Sequence, residues 1–318
     1  MKWIFDSLGS GSVERQKKKK NTVMLIYATM LVIILLLAVL LISPIIASFA
    51  GNKPPENDDT NDNNSLTYDS VTVDVSDLHT GSLILVNKNN EYIFEHNPAV
   101  VPFPSTKLPY NLRDTSLKAN QTAMDALTEF IKGLNENVTS ANIVIMTAYR
   151  TKEYQDSLGN GTPGGYSDFH TGMSFELKAI GKDGKYYNVD EVKEYSWLYE
   201  NAHKYGFIVR YPADTDDKTF SEITGVEDYA YVFRYVGTPH ATYIYQNGLC
   251  LEEYLELLRE NYTQEKPLNI NKQYDVYYCE ASQGSTEIQI PSKYTYDVSG
   301  DNMNGYIVTV YKNKTAKN

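Results

Sequence analysis

The sequence predicts an α+β domain, a small mostly antiparallel sheet packed with helices, preceded by one N-terminal transmembrane helix. Three observations carry this. Apolar spacings of helical period and of strand period alternate through residues 66–318. Thr22–Ile42 is almost wholly apolar, and Gly51–Ser65 holds no hydrophobic residue at all. Helices mixed with hairpin-connected strands are the pattern of α+β folds.

Residues 1–21 read as a basic cytoplasmic tail and 22–50 as the membrane helix. At about 1.5 Å per residue, roughly 20 apolar residues span a bilayer core. Arg15 and Lys17–Lys20 directly precede the run, and such a basic flank stays cytoplasmic, which puts the C-terminal bulk outside the cell membrane. Ser48-Phe49-Ala50 loosely resembles a processing site, but the apolar run is too long and starts too late for a cleaved signal. Of the net charge of −11, the first 20 residues contribute +4, which leaves −15 for the rest. That acidity repels phosphate backbones and excludes nucleic acid as a partner.

Gly51–Ser65, rich in Asn, Asp and Pro, cannot bury apolar surface; residues 51–65 read as a disordered stalk. The main domain spans 66–265. Ser82–Asn87 and Glu91–Phe94 flank a Lys88-Asn89-Asn90 turn, as in a hairpin. Lys118–Asn135 follows helical spacing, with Ala123, Leu127, Phe130, Ile131 and Leu134 on one face. Asp190–Tyr205 repeats that spacing, and Gly206 follows its end. Ile143–Met146, Phe207–Val209 and Tyr231–Val236 read as strands and Leu251–Tyr262 as a helix. Residues 266–318 form a β extension, with strands at Tyr274–Cys279, Glu287–Ile290 and Tyr306–Tyr311. The two cysteines, Cys250 and Cys279, permit one disulfide pairing in an oxidising compartment; the alternative is two buried thiols.

Five segments, in order, carry a resemblance. They are Thr147-Ala148-Tyr149-Arg150-Thr151 with Gln155, then Gly165–Gly172 (GYSDFHTG), Tyr205–Pro212 (YGFIVRYP), Phe233–Gly237 (FRYVG) and Leu251–Leu255 (LEEYL). Over roughly residues 76–262 the chain resembles the VanY-like D-alanyl-D-alanine carboxypeptidases of cell-wall metabolism. The resemblance implies the carboxypeptidase-like fold. It also implies a hydrolytic zinc, which needs three protein ligands, an open position for water and a carboxylate base.

The family places its first two ligands in a Ser-x-His-x-x-Gly-x-x-x-Asp pattern; aligned on Ser167 and Gly172, those positions hold Phe169 and Glu176. Its base and last ligand come from a Glu-x-x-His run, where this chain has Tyr229 and Val232. Phe and Val offer no lone pair, a phenol titrating near about 10 is no proton acceptor at neutral pH, and one carboxylate does not make a zinc site. The resemblance therefore implies a degenerate member with no catalytic residues and no cofactor. His170 adjoins the lost ligand, but neighbours on an extended strand face opposite ways, so it is expected to point away from the site.

The resemblance also implies that Arg150, Gln155 and Ser167 hold a substrate's terminal carboxylate, a role that suits the planar fork of Arg. The function expected is that of a membrane-anchored, extracytoplasmic pseudopeptidase binding peptidoglycan stem-peptide C-termini or an extracytoplasmic protein. The alternatives are an active carboxypeptidase with an atypical metal site and a scaffold with a dead pocket.

Overall fold

In the computed structural model, residues 67–315 are described, apart from 97, 98, 160 and 228. The described part opens with Tyr68–Asp74 (β1), followed by the short strands Val100–Pro102 (β2), Asn111–Leu112 (β3) and Lys118–Asn120 (β4). Gln121–Asn137 (α1) is the longest helix among the described residues, and Ile143–Thr147 (β5) and Lys152–Ser157 (α2) come next. Ser174–Ile180 (β6), Tyr186–Asn188 (β7), Ser196–Asn201 (α3), Phe207–Val209 (β8) and Phe220–Thr224 (α4) lead to Val232–Tyr235 (β9). Thr238–Asn247 (α5) and Leu251–Asn261 (α6) precede the C-terminal strands Leu268–Ile270 (β10), Tyr274–Glu280 (β11), Ser285–Pro291 (β12), Tyr294–Gly300 (β13) and Gly305–Thr315 (β14).

The central sheet runs β3-β5-β6-β9-β8, with β7 beside β6. It is mixed: β3 and β5 are parallel and the remaining pairs antiparallel. α1 covers it with one apolar stripe, Ala123, Met124, Leu127, Phe130, Ile131 and Leu134, all buried, because a 3.6-residue period puts these positions on one side. Asn120 caps this helix by accepting from the Ala123 N–H at 3.2 Å, satisfying one of its free donors. The stripe meets Phe175, Phe207 and Phe233 from the sheet in the largest core cluster.

A second sheet, β10-β11-β14-β13, packs with α5 and α6 around Ile244, Leu251, Tyr254, Leu258, Val276 and Ile307. β1 pairs with β12 across Tyr68–Asp74 and Ser285–Pro291. Strands on either side of the 265/266 division drawn in the sequence are thus hydrogen-bonded, and the described residues fall within one compact unit, Ser65–Asn318.

The basic tail (1–21), the membrane helix (22–50) and the stalk (51–65) lie outside the described residues. Among the described residues no helix is long and apolar enough to cross a membrane; α1, the longest, has 17 residues and a single buried face. The single-pass anchor, the membrane as a partner and the extracytoplasmic placement that rested on it are therefore not supported.

Asp190–Tyr205 is not one helix. It breaks into 3-10 turns at Val189–Glu191, Lys193–Tyr195 and Ala202–Tyr205 around the short α3. The buried Tyr195 hydroxyl accepts from the Asn142 N–H at 3.0 Å and draws the chain toward β5.

Ser82–Asn87 forms no strand, although Leu83–Val86 are buried. Its backbone is satisfied largely by side chains. Ser299 Oγ accepts from the Leu83 N–H at 2.9 Å, and Arg234 donates to the Ser82 and Ile84 carbonyls at 3.0 and 3.3 Å. Asn302 donates to the Leu85 carbonyl at 2.9 Å and Arg210 to the Val86 carbonyl at 3.3 Å. Buried backbone groups need partners, but these need not come from a neighbouring strand.

The disulfide does not form either: Cys250 and Cys279 are free thiols. Cys250 is the N-cap of α6, whereas Cys279 lies beside that helix's far end, where the Tyr278 N–H donates to the Tyr262 carbonyl at 3.0 Å. An 11-residue helix is roughly 16 Å long, well beyond the roughly 7 Å Cα separation a disulfide tolerates.

Candidate carboxylate site

Antiparallel register builds the site. Thr147 on β5 pairs with Glu176 on β6, and Glu176 pairs with Val232 on β9, so the three stand side by side across the sheet. After β5 the chain turns out through Tyr149 and Arg150 into α2, whose N-cap Thr151 accepts from the Tyr154 N–H at 3.2 Å. Ahead of β6, Ser167 starts a 3-10 turn, Asp168–Thr171, which Gly172 ends at φ 68°, a left-handed conformation that suits glycine.

Arg150 and Ser167 line one cavity of about 510 Å³, within the usual range for ligand pockets. The Arg150 side chain is 11% exposed and its guanidinium lies over the Phe169 ring, 4.1 Å from the centroid. It donates to Gln155 Oε1 at 3.0 Å and weakly to Thr147 Oγ1 at 3.4 Å, and it stands 4.0 Å from Glu176 Oε2. Its Nε has no hydrogen-bond partner among the described residues. Burial lowers the Arg150 pKa, and the Glu176 carboxylate is the main opposing influence.

The three expected carboxylate holders come together, but not as equals. Gln155 is 1% exposed; besides accepting from Arg150, it donates to the Thr162 carbonyl at 2.9 Å. It positions the guanidinium. Ser167 is buried at the cavity wall.

The four positions that would carry zinc chemistry are also adjacent. Phe169, Val232 and Tyr211 form a buried apolar cluster, flanked by Tyr231. Tyr229 stacks on Tyr231 at 5.4 Å and meets Tyr211 edge-on at 6.3 Å. Burial pushes the Tyr211 phenol pKa up, so it stays neutral. Glu176 alone carries a metal-binding group, and its Oε2 accepts from Thr147 Oγ1 at 2.9 Å. Among the described residues no group of three or more His, Cys, Asp or Glu could hold a metal ion. The residues at these positions do not fit zinc.

His170 needs a different account from the one the sequence suggested. It sits on a 3-10 turn, not an extended strand. Its Nε2 accepts from the Gly165 N–H at 3.0 Å and its Nδ1 bonds the Arg150 carbonyl at 2.7 Å, which fixes the Nδ1–H tautomer. Both nitrogens are thereby spent on holding the backbone around the cavity. Burial lowers its pKa against the support of that carbonyl.

The sequence reading missed the network beneath the site. Asp168, fully buried, pairs with Arg234 at 2.7 Å and Arg210 at 3.2 Å and accepts from Ser174 Oγ. Arg210 also forks onto Glu252 of α6, at 2.9 and 3.1 Å. Burial alone would raise the Asp168 pKa; the two guanidiniums and the hydroxyl outweigh it and hold the carboxyl below its usual range. Arginines inside the otherwise apolar strand motifs around 207–211 and 233–236 were the available signal, since a buried charge requires a partner.

Residues 160–238 match the family described as VanY, D-alanyl-D-alanine carboxypeptidase. The chain is 31% identical over 215 residues to a D-alanyl-D-alanine carboxypeptidase of Enterococcus faecium, covering 66% of this chain and 67% of that protein. Over 91 residues it is 45% identical to a D-alanyl-D-alanine carboxypeptidase of Enterococcus faecalis, covering 29% and 30%. The vancomycin-resistance D,D-dipeptidase VanXYg, solved with a D-Ala-D-Ala phosphinate analogue, shares the fold at a TM-score of 0.65 and 24% identity, over 77% of this chain and 99% of that one. The chain belongs to the VanY-like D-alanyl-D-alanine carboxypeptidase family.

Proposed function

We propose that this chain is a zinc-less, degenerate member of its family that holds the C-terminal carboxylate of a peptide without cutting it. The observation that carries this reading is the Arg150 guanidinium, incompletely hydrogen-bonded and set in a cavity beside Ser167, while Phe169 and Val232 pack together at the ligand positions. A guanidinium and a hydroxyl recognise a carboxylate by charge-assisted hydrogen bonds. The zinc chemistry that the resemblance implies activates water with a metal and a base, and Phe169, Val232 and Tyr229 supply neither. The relatives' names point to peptides ending in D-alanine as the ligand class.

Calorimetric titration of the full chain with an N-acetylated peptide ending in D-Ala-D-Ala tests this. A hydrogen bond to a charged group contributes about 1.5–3 kcal/mol, so Arg150→Ala is expected to weaken binding about 10- to 150-fold. The peptide's C-terminal carboxamide is expected to bind as poorly. Equal binding of acid and amide, or no effect of the substitution, would refute carboxylate recognition and favour a scaffold role for the fold.

A further inference from the structure

We propose that Glu176 acts as a built-in competitor for Arg150, so that its charge lowers the affinity of the carboxylate site. This rests on the carboxylate-binding reading above. Glu176 Oε2 stands 4.0 Å from Arg150, and Arg150 is the one cation it pairs with among the described residues. The Thr147 hydroxyl, donating at 2.9 Å, holds that same oxygen on the side of the guanidinium. Across the sheet its register partner is Val232, which offers no donor.

A carboxylate at this sheet position beside a metal would be neutralised by it. Here Phe169 and Val232 pack together as apolar side chains, and the cation within ion-pair distance of Glu176 among the described residues is Arg150. Phe169 lies beneath the guanidinium and Glu176 at its edge. An arriving peptide carboxylate meets a guanidinium already partly neutralised, with a second negative charge a few ångströms away. Like charges that close repel strongly in a partly buried setting. Ligand binding is therefore weaker than the guanidinium alone would give, and Glu176 is the residue that tunes it.

Glu176→Gln isolates this effect, because an amide keeps an acceptor for Thr147 and removes only the charge. Titrated with the same N-acetylated D-Ala-D-Ala peptide, the full-chain variant is expected to bind about 5- to 50-fold tighter than the parent. The gain should disappear in the Glu176→Gln, Arg150→Ala double variant. If Glu176→Gln leaves affinity unchanged or lowers it while Arg150→Ala still weakens the parent, the competitor role is overturned and the carboxylate site stands. If neither the parent nor Glu176→Gln binds the acid, both fall. Thermal melting of each variant verifies that the fold is retained.

Discussion

The Arg150 guanidinium stacks on the Phe169 ring at 4.1 Å, so the residue at a position that the resemblance assigns to a metal ligand is the platform for the cation of the proposed ligand site. Stacking of this kind contributes about 0.5–2 kcal/mol. Phe169→Leu, which keeps the apolar volume and loses the ring, should weaken binding of the D-Ala-D-Ala peptide roughly 2- to 30-fold. Calorimetry measures the loss, and an unchanged melting transition would separate it from unfolding.

Asp168 lies at 0% side-chain exposure between Arg210 and Arg234. Removing one partner of a buried pair costs about 3–5 kcal/mol, because the remaining charges stay uncompensated. Asp168→Asn should lower unfolding stability by that amount in urea titrations. The Asp168 carboxyl is held below its unfolded pKa of about 3.9 by the two arginines, against burial. Its contribution is complete above that unfolded value and is lost as pH falls through the lower native one. The parent should therefore lose stability more steeply below about pH 4 than the Asn variant.

His240 gives a second, separate acid limb. It is buried, bonded to the Tyr254 hydroxyl at 2.8 Å and to Thr309 at 3.1 Å, and burial lowers its pKa to about 3. The unfolded chain takes up this proton near about pH 6.5, while the native state resists it until near its own value. Stability thus declines as pH falls across that window. His240→Gln should flatten the decline between about pH 6.5 and the native value, and leave the Asp168 limb in place.

Cys250 and Cys279 should both react with a thiol reagent after denaturation without reductant, which mass spectrometry reads as two added groups per chain. Burial raises both thiol pKa values, to about 12 and about 11, so labelling of the native protein at neutral pH should be slow.

The sequence spoke clearly where a single period decides the outcome. The apolar stripe of α1 is where spacing puts it, because a long amphipathic pattern has one way to be buried. It misled where a pattern has several solutions. Tight turns as well as a helix accommodate the apolar residues of 189–205, and Ser82–Asn87 is apolar without being a strand because Arg210, Arg234 and Asn302 take its carbonyls. Those partners come from over a hundred residues away, beyond the reach of local pattern.

The candidate site was legible as residue types in motif order, including Arg150, Gln155, Ser167 and the substituted positions 169, 176, 229 and 232. Its division of labour was not. That Gln155 positions Arg150 and that His170 is spent on backbone depend on how the Lys152–Ser157 helix and the Asp168–Thr171 turn fold against each other. That Glu176 faces the guanidinium depends on the register of β5, β6 and β9.

The central claim, carboxylate recognition without a metal, is tested most directly by titrating the full chain with the D-Ala-D-Ala peptide in the presence of a chelator, then of added zinc, while following D-alanine release. Saturable binding that neither chelator nor zinc changes, with no D-alanine released, is the predicted result. Binding lost with chelator and restored by zinc, or release of D-alanine, would contradict it.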